Sequence, residues 1–258
     1  MAELAGKIGL IVGVANKRSI AWAIAKAADE AGAQLVLSYA NERFEENVRA
    51  LAATLARPPR LLAMDVTRDE EIGAVFETID REGGGVDFLV HAVAYASRDA
   101  ISEAFVRTSR QDFLQSLDVS AYSLVALTRH AAPLMARRGG GSVLTLSYLG
   151  SQRVFPHYNV MGVAKAALEA TVRYLAADLG PQNIRVNAIS AGPIKTLAAA
   201  GIAGFSHILQ HYRERAPLRR TIDGADVAAA AIFLLGPAGR AVTGEILMVD
   251  GGYHAVGM

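Results

Sequence analysis

Seven short apolar runs, each of strand length and separated from the next by helical spacing, constrain this chain more than any other feature. They are IGLIVG (8–13), QLVLSY (34–39), RLLAMD (60–65), VDFLVHAVA (86–94), SVLTLS (142–147), IRVNAIS (184–190) and EILMVDGG (245–252). Continuous rather than alternating apolar character suits strands buried on both faces. Between the runs, helical patterns are expected at 20–31, 43–56, 69–82, 110–138, 158–179 and 223–234, with stops at Gly32, at Gly139 to Gly141 and at Gly180-Pro181. Strand, helix, strand with short links implies an α/β protein with a parallel, doubly wound sheet and right-handed crossovers. No linker, repeat or low-complexity stretch interrupts the alternation, so residues 1–258 are expected to form a single domain. Only 197–216 reads as irregular.

Composition narrows the function classes. The formal net charge is +1, with 52% hydrophobic and 20% charged residues. Neither nucleic acid nor an anionic membrane is an expected partner of so balanced a chain. Cysteine is absent, which removes disulfides, thiolate nucleophiles and cysteine metal sites together. His207 and His211 are spaced i,i+4, but no glutamate completes a zinc-helix pattern, and no metal is expected. The first apolar run is broken by glycines and followed by Lys17 and Arg18, unlike a signal peptide or a membrane span. A cytoplasmic location is the expectation.

The stretch from Ser147 to Lys165, SYLGSQRVFPHYNVMGVAK, carries the chemistry. If Tyr158 begins the helix, Lys165 lies two turns on, roughly 10 Å along the axis and on nearly the same face. A lysine among Val163, Ala164, Ala166 and Leu168 loses hydration and needs partners for its three donors. Its charge would favour the phenolate and sharpen Tyr158 as a proton or hydrogen-bond donor to a developing oxyanion. The bland alternative makes Tyr158 a core aromatic and lets Lys165 snorkel to solvent.

In open sheets of this kind ligands bind outside the carboxyl ends of the strands. Small residues follow the first, fourth and sixth runs (Gly13 and Ala15; Ala92 to Ala94; Gly192), which admits a flat ligand close to the backbone and suits an extended dinucleotide. The first turn, GVANKRSIA, has one glycine rather than a GxGxxG. It leads into a helix whose free amides can receive a pyrophosphate, or it is a plain turn. Asp65 can accept from an adenine amino group, or serve as a turn or N-cap aspartate.

On GVANKRSIA, the strand end Asp65-Val66, LTLSYLGSQRVFPHYNVMGVAKAALEA, RVNAISAGPIKTLAA and GEILMVDGG, the chain resembles the short-chain dehydrogenase/reductases over essentially its whole length. Within them it resembles the divergent enoyl-[acyl-carrier-protein] reductase branch. Ordinary members carry a tyrosine four residues before the lysine and a serine thirteen residues before that tyrosine. Here those positions are Met161 and Tyr148, and the phenol comes from Tyr158, seven before Lys165, as in the enoyl reductases.

The resemblance implies a Rossmann-like, three-layered fold and an NADH-dependent reduction of trans-2-enoyl thioesters in fatty-acid synthesis. Tyr158 would hydrogen-bond the enolate oxygen and Lys165 would hold the nicotinamide ribose. Tyr148 would orient substrate or pack beside it. Gly13, Ser19, Ile20, Asp65, Val66, Ala92, Ile194 and Thr196 match cofactor-binding positions. Tyr95, Met161, Ala198, Ile202 and Phe205 would line the acyl pocket, and 197–216 would be a substrate lid. An enoyl-acyl carrier protein substrate and a homotetramer are likewise implied. Ala94 departs from a glycine found in several members, and Ala40 from a glutamine that often contacts adenosine. No basic residue immediately follows Tyr39, which favours NADH, while Arg43 keeps NADPH open. The rivals are a ketoacyl or other carbonyl reductase, disfavoured by Met161, and a non-catalytic redox sensor, disfavoured by the retention of Tyr158 with Lys165.

Overall fold

The computed structural model describes residues 3–196 and 204–257. The first strand, β1 (Ile8–Val12), sits at the middle of the sheet because β2 (Gln34–Tyr39) pairs on one side of it and β4 (Phe88–His91) on the other. Gly9 makes that core position workable: a Cβ there would lie 1.9 Å from the ring of Phe88. Outside β2 lies β3 (Arg60–Ala63). Beyond β4 come β5 (Gly141–Ser147), β6 (Ile184–Ala191) and β7 (Ile246–Val249), giving one seven-stranded sheet in the order 3-2-1-4-5-6-7 with every pair parallel. The order reverses between β1 and β4. That is where the carboxyl ends part to leave a crevice.

Helices cover both faces. One core packs α3 (Asp69–Gly83), α6 (Ser123–Arg137) and α7 (Val160–Leu179) on the sheet through Ile72, Val75, Leu124, Leu127, Leu168 and Val172. The opposite core uses α1 (Ile20–Glu30), α2 (Glu42–Ala52) and α9 (Gly224–Leu235), through Trp22, Ile24, Val48, Val227 and Ala231. Two buried apolar layers on a parallel sheet are what the seven runs require.

Several boundaries differ from the sequence reading. Residues 110–138 form α5 (Arg110–Leu117), a π-helical turn (Asp118–Tyr122) and then α6, not one regular helix. A short helix, α4 (Arg98–Ser102), was not foreseen. The stretch 197–216 is not irregular throughout, because α8 (Phe205–Arg215) occupies its second half with Leu209 and Tyr212 buried; residues 197–203 lie outside the described residues. The helix expected from Tyr158 starts at Val160, since His157 and Asn159 hold positive φ values of 61° and 41°.

Candidate active site

A cavity of about 760 Å3 opens at the carboxyl ends of the strands. Leu146, Ser147 and Tyr148 border it from the end of β5, Ala191 to Ile194 from β6, and Ala94 to Ala96 from the segment after β4. Ile20 of α1 lines it as well, and Phe205 and Ile208 of α8 wall it from outside. Of the residues singled out in the sequence, Ile20, Tyr95, Tyr148, Tyr158, Met161, Lys165, Ile194, Thr196 and Phe205 come together here. Gly13, Ser19, Asp65, Val66 and Ala92 do not line the cavity; they follow β1, β3 and β4 on the same edge of the sheet. Ala198 and Ile202 fall outside the described residues.

Tyr158 and Lys165 share the cavity without sharing a helix. Tyr158 stands in the turn before α7, which Asn159 fixes by donating its side-chain amide to the carbonyls of Ala100 (3.2 Å) and Glu103 (2.8 Å). Its ring lies on Gly150, where a Cβ would come within 2.4 Å of it, and meets Tyr148 edge-on at 5.0 Å. Lys165, in the second turn of α7, is 6% exposed and among the described residues gives one hydrogen bond, to the Leu146 carbonyl at 2.7 Å. Snorkelling is therefore excluded. Burial lowers its amine to about 8, with Glu169 acting in the opposite direction.

The expected cation-stabilised phenolate is corrected. Burial first, then Tyr148 and Glu169, push the Tyr158 hydroxyl well above the ordinary phenol value. Tyr158 thus stays protonated at neutral pH. It is a hydrogen-bond donor facing the cavity, the state a developing oxyanion needs.

Toward β1 the edge fits a dinucleotide. Gly13 has φ +101° and packs so tightly on the end of β4 that a Cβ would lie 2.3 Å from the Ala92 carbonyl oxygen. Flat backbone is what remains exposed. Ser19 caps α1 by position only, because its hydroxyl donates to the Asn16 carbonyl (2.5 Å) and leaves the first turn without a side-chain cap. The Ser38 hydroxyl, buried at the end of β2, has no partner among the described residues. Asp65 forms a turn, taking the amide and hydroxyl of Thr67 on Oδ1, with Oδ2 outside that turn. Val66 is buried in the core under α3.

Two participants were missed from sequence. Glu169 accepts from the hydroxyls of Ser147 (2.5 Å) and Ser151 (2.6 Å) beneath the cavity. Its place one turn after Lys165 was a readable signal. Tyr212 of α8 donates to the Tyr148 hydroxyl at 3.4 Å and stacks on Tyr253 at 3.8 Å. No spacing rule links residues 64 apart, so this contact had no sequence signal. Burial carries the Tyr148 hydroxyl up to about 12.

The family profile described as "Enoyl-(Acyl carrier protein) reductase" matches residues 13–254. The chain is 53% identical to the Bacillus cereus enoyl-[acyl-carrier-protein] reductase [NADH] FabI, over all of both chains. It is 46% identical to the Staphylococcus aureus enoyl-[acyl-carrier-protein] reductase [NADPH] FabI, over 99% of this chain and 100% of that one. A crystal structure of the Bacillus cereus enzyme with NADP+ and indole naphthyridinone superposes with a TM-score of 0.97 at 52% identity, covering 100% of each chain.

Proposed function

The chain belongs to the enoyl-(acyl carrier protein) reductase family, and from that premise we propose that Tyr158 and Lys165 divide the work of its reaction. It reduces trans-2-enoyl thioesters to saturated acyl thioesters with NADH, in fatty-acid synthesis, and NADPH is the alternative reductant. When bound, NADH supplies a hydride to C3 of the enoyl chain. Tyr158 donates its proton in a hydrogen bond to the thioester oxygen, where negative charge gathers as C3 is reduced, and C2 is protonated afterwards. Lys165 holds the ribose hydroxyls next to the nicotinamide with the donors that its bond to Leu146 leaves over.

Gly13, Ser19, Ile20, Asp65, Val66, Ala92, Ile194 and Thr196 hold the rest of the dinucleotide. Tyr95, Met161, Ala198, Ile202 and Phe205 receive the acyl chain, Tyr148 orients it, and 197–216 acts as the lid. The chain works as one domain, in the cytoplasm, as a homotetramer acting on enoyl-acyl carrier protein. The observation that carries the reading is that the Tyr158 phenol and the buried Lys165 amine line a single cavity at the carboxyl ends of β5 and β6.

The reading is tested by the loss of reduced-nicotinamide absorbance with crotonyl and longer enoyl thioesters, run beside 3-ketoacyl thioesters. Turnover is expected with the enoyl series alone. Turnover confined to ketoacyl substrates would overturn it.

A further inference from the structure

Glu169 is a buried acid that the reaction as described does not use. It is 5% exposed, and its Oε1 takes two short hydroxyl bonds, from Ser147 and Ser151. An enclosed carboxylate is costly unless its bonds and charge are matched by its surroundings. Those two serines bracket Tyr148: Ser147 ends β5, and Ser151 closes the single turn that follows Tyr148. Gly150, within that turn, is the seat of the Tyr158 ring. Lys165 lies one turn earlier on the same face of α7. One side chain therefore joins the segment that carries Tyr148 and supports Tyr158 to the helix that carries Lys165.

We propose that Glu169 is a positioning residue for the reduction: tied to Ser147 and Ser151, it fixes the tyrosine-bearing turn against α7 and presents a negative charge to the Lys165 amine. The inference rests on the reading of Lys165 as the group that holds the nicotinamide ribose.

The other titratable groups around Lys165 supply no such charge. His91 of β4 is fully buried, with Nδ1 2.7 Å from the Thr145 hydroxyl and Nε2 2.8 Å from the Ser123 hydroxyl. The Ser123 hydroxyl also donates to the Val119 carbonyl and the Thr145 hydroxyl to the His91 carbonyl, so the ring is held on both sides by hydroxyls that carry no charge. The ring is neutral, and burial together with Lys165 holds its value down to about 3. Tyr148 and Tyr158 are both held above the ordinary phenol range and remain uncharged. Glu169 is left to oppose the burial that lowers Lys165 to about 8. Without its charge, the amine loses its proton at lower pH.

The test is kcat/KM for NADH against pH, which reports groups of the free enzyme, in wild type, Glu169→Gln, Glu169→Asp and Lys165→Met. The wild-type profile is expected to fall on an alkaline limb near 8. In Glu169→Gln, which keeps an oxygen for both serines, the limb moves down by roughly one unit. In Glu169→Asp it moves part of the way, and this variant carries the test should the amide fail to fold. A limb unmoved in both, with only the height of the profile reduced, would mean that Glu169 is structural and would overturn the inference alone. A limb and an NADH affinity that survive in Lys165→Met would instead overturn the reading of Lys165, and the inference with it.

Discussion

The two edges of the sheet treat their buried charges in opposite ways. At the amino edge Asp87, just before β4, is 6% exposed and fully engaged: Oδ1 takes Lys7 at 3.0 Å, while Oδ2 takes the Ile8 amide at 2.8 Å and Arg138 at 2.9 Å. It ties β1, β4 and the end of α6 together. At the carboxyl edge Lys165 is as deeply buried but makes one hydrogen bond with three donors, and the Tyr158 hydroxyl has no hydrogen-bond partner among the described residues. Burial depth is thus alike and bonding is not. Complete bonding marks a polar group that holds the fold, and incomplete bonding marks one kept for a ligand. Substitutions at the two edges should accordingly separate stability from function.

The sharpest break in that contrast comes at Gly13. In Gly13→Val a side chain at φ +101° would run into the Ala92 carbonyl 2.3 Å away, and roughly 3 kcal/mol of strain and overlap is expected. NADH affinity, measured by fluorescence titration, should fall about 100-fold. Retained affinity would show that the β1–β4 crevice is not where the dinucleotide lies.

At the opposite edge, Asp87→Asn should cost about 2 kcal/mol in denaturant unfolding, a figure reduced because Lys7 and Arg138 both reach solvent, with kcat/KM unchanged. Burial pushes the Asp87 carboxyl up, but Arg138, the Ile8 amide and Lys7 outweigh it and hold the folded value below the ordinary 3.8. Because the folded value lies lower than the unfolded one, this stabilisation is complete above the unfolded value and is lost as pH falls through the folded one. The variant should lack that acid-side loss. An activity defect in the stable variant would blur the distinction between the edges.

The smallest expected effect is at Tyr212→Phe, which keeps the stack on Tyr253 and removes only the 3.4 Å bond to Tyr148. So long a bond is worth at most about 0.5 kcal/mol, and KM for the enoyl thioester should rise twofold or threefold with kcat held. A fall in kcat alone would instead tie α8 to the chemical step.

Sheet class and strand count were legible because each apolar run had to be buried on both faces, and the gathering of Tyr148, Tyr158, Met161, Lys165 and Ile194 followed from their positions after β5 and β6 and on α7. Local conformation was not. Nothing in HYN announces two residues at positive φ, so Tyr158 was placed inside a helix that it only precedes. Tyr158 and Lys165 still line one cavity, and burial, then Tyr148 and Glu169, raise the phenol. Helix α8 was hidden by glycines at 201 and 204 and by its sparse apolar pattern, of which only Leu209 and Tyr212 are buried. Its contact with Tyr148 is a long-range event that no periodicity encodes.

The central claim, that Tyr158 serves the acyl oxygen while Lys165 serves the dinucleotide, is tested most directly by Tyr158→Phe measured two ways. Its NADH dissociation constant should stay within about twofold of wild type while kcat/KM for an enoyl thioester falls by roughly 10²–10³, the effect of losing one oxyanion donor. Turnover near the wild-type rate, or a loss confined to NADH binding, would contradict it.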